Sequence, residues 1–446
     1  MTNNIFGLTE NQLIRCVKLL SYLSKKKILL EVENSLERFY GQEVYSSNER
    51  SFSDRSNTIN FIFNIIRLAN RFVIFNFICL VAIITFSGIY RYPVGQPKIF
   101  QYGVTRNNLL ALNKLNNCLS KEVNECIAEM SRNLLWKERV KSLISIRFLW
   151  YAATLLANNN YQNALVYAKV AIGMGAVIVY SSRPLPSSVE VVCIASDHSP
   201  VARALIALSK LEGRKTCYVQ HAPVTKYFPP LSTDLSILYD DKSIQAYREA
   251  SELSGTTFDA EVQLMPPFSE CFRSPTLSDG PYIVGVCLSR FPDTSTLKKF
   301  LNELSKREDV TDIFLRRHPA CKLDLSLLKM ISKVSFRDID ESLFDFSSSI
   351  SLAIVPNSGV TVELLHLGVP TFYKSGLDDI AEDYYGFLEE EILPSFHSSN
   401  AFSSTFCKNF FDERWKQRFS KYDLTVYRSI WECRQRVGTA FAKLMR

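Results

Sequence analysis

From residue 189 to residue 374 the chain alternates short, almost unbroken apolar runs with amphipathic stretches, and this alternation leaves few folds open. VEVVCIAS (189–196), KTCYVQ (215–220), LSILYD (235–240), YIVGVCLS (282–289), DIFLRRH (312–318) and ISLAIVP (350–356) are such runs, with VQLMP (262–266), KVSFRD (333–338) and PTFYK (370–374) as shorter ones. A strand covered by helices on both faces is apolar at nearly every position, which is the pattern of parallel sheets. PVARALIALSKLEG, KSIQAYREASELSG, residues 294–307 and SGVTVELLHLG read as the intervening helices, with Gly213 and Gly368 as stops. Strands alternating with helices of about 10–15 residues make βαβ units. The series breaks near residues 268–280 and restarts at Asp279-Gly280. The expected fold is α/β, with two Rossmann-like domains facing a cleft.

The length agrees. At 446 residues the chain exceeds the roughly 250–300 residues that one core serves. Residues 96–270 are assigned to the first Rossmann-like, acceptor-side domain, with PKIFQYG as a strand and 107–179 mostly helical. Residues 271–400 are the second, nucleotide-binding domain. Residues 401–446, rich in Phe, Trp and Arg, read as helices packing back across the body. Residues 1–95 form an N-terminal helical, membrane-associated extension. In it, 8–40 looks helical, the Ser/Asn/Arg-rich 45–58 reads as a loop, and 72–90 is a 19-residue run without charge. A helix there would be about 28 Å long, close to the hydrocarbon thickness of a bilayer. The alternatives are a buried core helix, an in-plane anchor or two buried strands.

Charge follows the same division. Residues 1–150 hold 20 Lys/Arg against 11 Asp/Glu, and the other 296 hold 32 against 34, so the net +7 belongs to the front. A nucleic-acid binder would place its basic groove across the body; a basic front suits a membrane surface. No nucleic-acid partner is expected. Residues 1–20 are polar and mixed, so no cleavable signal peptide is expected. The eleven cysteines form no C-x-x-C pair, which disfavours a zinc site and suggests a reducing compartment. The expected location is membrane-associated, with the catalytic body in the cytoplasm.

Open α/β sheets bind ligands beyond the carboxyl ends of their strands, and polar residues collect there. Three of the five histidines, His198, His221 and His318, directly follow predicted strands. In Ser196-Asp197-His198-Ser199-Pro200, Asp197 or His198 could act as a general base, or Asp197 or Ser199 could simply cap the helix. His221 opens a Pro-rich loop that could fold over an acceptor or merely turn tightly. Arg316-Arg317-His318-Pro319 leaves an imidazole between cationic groups at a strand tip, a set that binds phosphate; Arg316 and His318 share a face. Asn357-Ser358-Gly359 starts a helix, where free amides bind anions. Glu363, one turn in, could hold ribose hydroxyls; its spacing from Ser358 does not fit a capping box. Phosphate-loop and dinucleotide glycine fingerprints are absent, disfavouring NTP hydrolysis and NAD chemistry. No D-x-D motif follows a strand in the right place; Asp240-Asp241 reads as a helix cap, so neither a metal nor another cofactor is expected.

These residues resemble the GT-B glycosyltransferases over roughly 185–395. RRHP (316–319) is similar to the His-Pro motif of bacterial sialyltransferases, polysialyltransferases and related CMP-sugar transferases. NSGVTVELLHLGVPTFY is similar to the Ser-containing helix start of those families. VQHAPVTKYFPPL and DDIAEDYYGFLEEEILP resemble segments of capsule and surface-polysaccharide transferases. The resemblance implies Arg316, His318, Pro319, Asn357, Ser358, Gly359 and Glu363 as the donor side, with His318 and Ser358 on the phosphate. It implies Asp197 as the base, with His198 and His221 on the catalytic side; His221 resembles a histidine of teichoic-acid polyol-phosphate transferases. The implied partners are a nucleotide-sugar donor, CMP-sugar favoured, and a surface-polysaccharide or lipid-linked glycan acceptor, with membrane contact through 72–90. A CDP-polyol phosphotransferase and a UDP-sugar 2-epimerase share these elements and stay open.

Overall fold

The computed structural model describes residues 10–40, 68–69, 71–128, 131–159, 161, 164–276, 278–289, 292–318, 321, 326–378, 383 and 385–446. The expected loop 45–58 and Pro319 lie outside them. In the first half the elements are α1 (Glu10–Tyr40), α2 (Val73–Phe86), β1 (Arg91–Pro93), β2 (Ile99–Tyr102), α3 (Arg106–Asn116), β3 (Ser131–Asn133), α4 (Trp136–Val140), α5 (Ile146–Asn158), α6 (Ala164–Ser182), β4 (Val191–Ile194), α7 (Pro200–Leu211), β5 (Lys215–Val219), β6 (Leu235–Leu238), α8 (Asp241–Leu253) and β7 (Glu261–Leu264). The second half contains β8 (Tyr282–Cys287), α9 (Thr294–Ser305), β9 (Val310–Arg316), β10 (Val334–Phe336), β11 (Leu352–Val355), α10 (Val360–His366), β12 (Thr371–Tyr373), α11 (Glu413–Phe419) and α12 (Ile430–Leu444).

Two five-stranded sheets result, ordered β2-β4-β5-β6-β7 and β10-β9-β8-β11-β12, and every pairing within them is parallel. The fold class is α/β with two Rossmann-like units. Alternation along each strand sorts the first sheet's side chains onto two faces. Phe100, Tyr102, Val192, Ile194 and Tyr218 join the core beneath α1, α6 and α7. Ile99, Val191, Cys193, Cys217 and Val219 take the opposite face, against α3 and the Val437, Ala440 and Phe441 side of α12. The C-terminal helix therefore crosses back to cover the first sheet. On the way, Trp415 of α11 is buried in the second core and donates to the Ile392 carbonyl at 3.0 Å. The two glycine stops adopt positive φ, +72° at Gly213 and +80° at Gly368, where a side chain would be strained.

The front section is not a separate body. Ile28, Leu29, Val32 and Leu36 of α1 and Leu80 and Ile84 of α2 share one core with the first sheet, so residue 95 separates no cores. The apolar run 72–90 forms a helix of 14 residues, about 21 Å long and shorter than the roughly 30 Å hydrocarbon layer. One edge of it, Asn76, Leu80 and Ile84, is buried, and Asn76 Oδ1 accepts from the Tyr167 hydroxyl at 2.6 Å. Among the described residues the helix long and apolar enough to cross a membrane is instead Leu165–Ser182, 67% buried; it is the central core helix of the first domain.

Candidate functional site

The carboxyl ends of both sheets meet at one cleft. In the second sheet, β8 and β9 run to one side and β11 and β12 to the other, so the chain reverses direction between β8 and β11. That reversal opens a crevice at the strand ends, where open α/β sheets take ligands. Asn357, Ser358 and Gly359 follow β11 there, and His318 follows β9 on the far side of β8. Opposite them lie the ends of adjacent strands β4 and β5, carrying Asp197, His198 and His221. The walls touch: a Cβ placed on Gly359 would lie 3.1 Å from Pro223 Cγ. A cavity of about 270 Å³ between them is lined by Lys114, His221, Tyr239, Asp240, Gly359 and Glu363, among others.

The first wall is a buried hydrogen-bonded chain. Asp197 is 3% exposed. Its Oδ2 accepts from the Tyr247 hydroxyl at 2.6 Å, and the Tyr218 hydroxyl lies 3.1 Å from that of Tyr247. Both tyrosines are held far above their ordinary value, by burial first and then by the Asp197 charge, so they stay protonated and can donate. Asp197 Oδ1 lies 3.2 Å from His198 Nδ1. A carboxylate beside Nδ1 favours the proton on that nitrogen and leaves Nε2 as the basic nitrogen of the ring. Asp197 is thus engaged through both oxygens, by the Tyr247 hydroxyl and by the His198 ring. The capping alternative is not taken up by Asp197, and Ser199, at the cap position of α7, makes no side-chain cap bond. Tyr40 at the end of α1 donates to the His198 carbonyl at 3.0 Å, so the front section holds the site from behind.

His221 stacks on His198 with ring centroids 5.9 Å apart, and Phe228 meets the His198 ring edge-on at 5.2 Å. Gln220 sets this arrangement by bridging two strand ends: its Oε1 accepts from Tyr239 N at 2.8 Å and its Nε2 donates to the Ala222 carbonyl at 2.9 Å. Burial, then the neighbouring His198, pushes the His221 imidazole down to about 4. It is neutral at physiological pH and faces His198 as an uncharged ring rather than as a cation.

The second wall is more open. His318 is exposed at its strand tip, and its carbonyl accepts from Cys321 N at 2.9 Å. Arg316 is partly engaged: Nη2 donates to the Glu341 carbonyl at 2.9 Å and the guanidinium covers the Phe346 ring, while Nη1, 3.9 Å from the Glu341 carboxylate, has no hydrogen-bond partner among the described residues and the charge still reaches Glu363 in the cleft. Asn357 is buried and donates to the Tyr373 hydroxyl at 3.2 Å, which anchors the turn. Ser358 and Gly359 start α10, whose seven residues make under two turns and carry little macrodipole; Val360 N donates to Ser358 Oγ at 3.4 Å and Thr361 N to the Ser358 carbonyl at 3.2 Å. Glu363 reaches water inside the cleft yet is crowded by protein. Burial raises its carboxyl, while Lys114 and Arg316 pull it back.

Two groups escaped the sequence reading. Lys114 of α3 donates to the Pro267 carbonyl and is lowered by burial, with Glu363 raising it across the cleft. Asp240 does cap α8, accepting from Ser243 N at 2.6 Å, and burial pushes its carboxyl up to about 7. The cap was legible; the cleft environment that perturbs it was not. Among the described residues no three His, Cys, Asp or Glu side chains converge as metal ligands.

The sequence matches no protein-family model and no curated protein. Among solved structures it is similar to CalG4, the calicheamicin glycosyltransferase (10% identity, TM-score 0.44, covering 78% of this chain and 98% of that one). It is also similar to S. aureus MnaA with UDP (12%, 0.42, 78% and 96%) and to the glycosyltransferase SnogD from Streptomyces nogalater (12%, 0.35, 78% and 100%). At these values the likenesses assign neither an activity nor a residue to this chain.

Proposed function

We propose that the protein is a GT-B-type glycosyltransferase that moves a sugar from a nucleotide-sugar donor to a hydroxyl acceptor. The observation that carries this reading is the meeting of two parallel-sheet ends at one cleft, with a carboxylate-held imidazole on one wall and, on the other, a half-buried Ser358-Gly359 turn at the reversal point and an exposed His318. The donor phosphate sits at Ser358, Gly359 and His318. The acceptor enters from the His198 side. His198 Nε2 takes the acceptor proton as the oxygen attacks the anomeric carbon, and Asp197 stabilises the resulting imidazolium. The bond from the anomeric carbon to the nucleotide phosphate breaks, and the Ser358 hydroxyl and Gly359 amide with His318 hold the negative charge that collects on the leaving group. A CMP-sugar is the favoured donor and a surface-polysaccharide or lipid-linked glycan the favoured acceptor.

Titrating CMP, CDP, UDP and GDP by thermal shift, followed by product analysis with the stabilising nucleotide's sugar, tests the reading. Stabilisation by CMP and a glycosidic product support it. A phosphodiester product identifies a polyol-phosphate transferase instead, and turnover of the donor without acceptor identifies an epimerase.

A further inference from the structure

Away from the cleft, one side of the first domain presents an apolar face that no core explains. α2 buries Asn76, Leu80 and Ile84. The helical repeat that turns these inward turns Ile74, Ile78 and Phe86 outward, and Phe86 is 85% exposed. Next to α2 the chain through α4 and α5 bends by 88° and exposes Leu135, Trp136, Ile144, Ile146 and Trp150. The two rows are neighbours: Phe77 and Trp150 have ring centroids 5.8 Å apart, and Arg139 of α4 donates to the Ser87 carbonyl at the end of α2. Single exposed apolar residues are ordinary, but a contiguous row containing two tryptophans marks a contact surface.

Charge identifies the occupant. Residues 68–95 and 131–158, which build this side, hold seven Lys/Arg and one Asp/Glu. The single acid, Glu138, is bound at 2.6 Å by Arg132 and at 3.1 Å by Arg183. Arg71, Lys137, Lys141 and Arg147 are exposed around the apolar row. A stripe of isoleucine and phenylalanine edged by tryptophan, with cations whose stems can lie along it, matches the headgroup boundary of an anionic bilayer. We infer that this face docks on a membrane rich in anionic phospholipid, with α2 lying in the interface plane rather than crossing it. Its length forbids a span, and its inner edge is committed to the core. The inference does not depend on the reading of the cleft.

Flotation of the full chain with vesicles of phosphatidylcholine alone, or with about one-third phosphatidylglycerol, tests it. The expected result is binding at least about tenfold stronger to the anionic vesicles, weakening as salt is raised. Ile74→Glu with Ile78→Glu should lower the bound fraction about tenfold, and Lys137→Glu with Lys141→Glu should remove most of the preference for anionic lipid. Nucleotide binding and thermal melting should stay as in the unsubstituted chain. Should a substituted chain fail to fold, the unsubstituted one still decides: brominated acyl chains should quench its fluorescence, and the quenching should vanish in Trp136→Phe with Trp150→Phe. Equal binding to both vesicle types, absence of quenching, or a dimer in light scattering that the Ile74 and Ile78 substitutions dissolve would overturn the inference.

Discussion

The two sheets are built from the same strand-and-helix unit, yet they offer different ends to the cleft. The first runs its strands in chain order and joins β5 to β6 by the loop Gln220–Asp234, without a helix. Its polar end groups are sunk and mutually bonded, from Tyr218 through Tyr247 and Asp197 to His198. The second sheet reverses direction at its middle and leaves His318 exposed and Ser358 at the start of a short helix. Buried polar groups that satisfy one another are rigid and electrostatically strong. On this wall Ser358 and Gly359 are half-buried, and among the described residues Ser358 Oγ accepts only a long bond, from Val360 N at 3.4 Å. The contrast underlies the proposed division, with proton handling at the first wall and anion binding at the second.

Substitutions can break that contrast, and the largest effect belongs to the base. His198→Ala should lower kcat by about 10²–10⁴ while leaving nucleotide affinity within about twofold, as checked by steady-state kinetics beside calorimetry. Tyr247→Phe withdraws the donor to a buried carboxylate and should cost about 1–3 kcal/mol of stability, read from urea midpoints. It should also lower kcat without moving donor KM. Ser358→Ala acts on the opposite wall and should weaken nucleotide binding about tenfold, the worth of one hydrogen bond to a charged group.

The pH dependence sharpens the comparison, because two cleft groups titrate with opposite sign. Asp240 is pushed up from 3.8 to about 7, so the folded state holds its proton more tightly than the unfolded chain. Its stabilising contribution is full below pH 3.8 and is lost as pH rises through 7. His221 is pushed down from 6.5 to about 4, so its neutral form is favoured by folding and stability is lost as pH falls through that window. Asp240→Asn should therefore remove the loss of stability near pH 7 and keep the His221 contribution, which raises urea midpoints between pH 4 and 6.5. The smallest effect is expected at Gly359→Ala, whose Cβ would meet Pro223 Cγ at 3.1 Å. Moving that ring by a few tenths of an ångström should cost about 1 kcal/mol or less of stability, visible as a small drop in the urea midpoint.

The strand ends were legible because a run apolar on both faces announces a buried parallel strand, and the first polar residue after it must emerge at the cleft. His198, His221, His318 and Ser358 were found that way. What the side chains do once there depends on partners distant in sequence. Asp197 reads as a free base until Tyr247, fifty residues on, occupies its outer oxygen. Arg316 reads as a phosphate ligand, and no sequence window shows that the Glu341 carbonyl holds its Nη2. Lys114 sits in an ordinary amphipathic helix, and only the approach of Glu363 gives it a role. The apolar run 72–90 looks like a span because a sequence window cannot show that one helix edge is already packed against Tyr167 and α6. The C-terminal helices were expected to pack back across the body and do so; that α12 covers the Ile99, Val191 and Cys217 face of the first sheet is a property of the assembled core.

The division of labour between the walls is tested most directly by calorimetric titration of the favoured nucleotide, CMP, into the unsubstituted chain, His198→Ala and Ser358→Ala. The account expects binding that is unchanged in His198→Ala and about tenfold weaker in Ser358→Ala. Weakened binding in His198→Ala with unchanged binding in Ser358→Ala would contradict it.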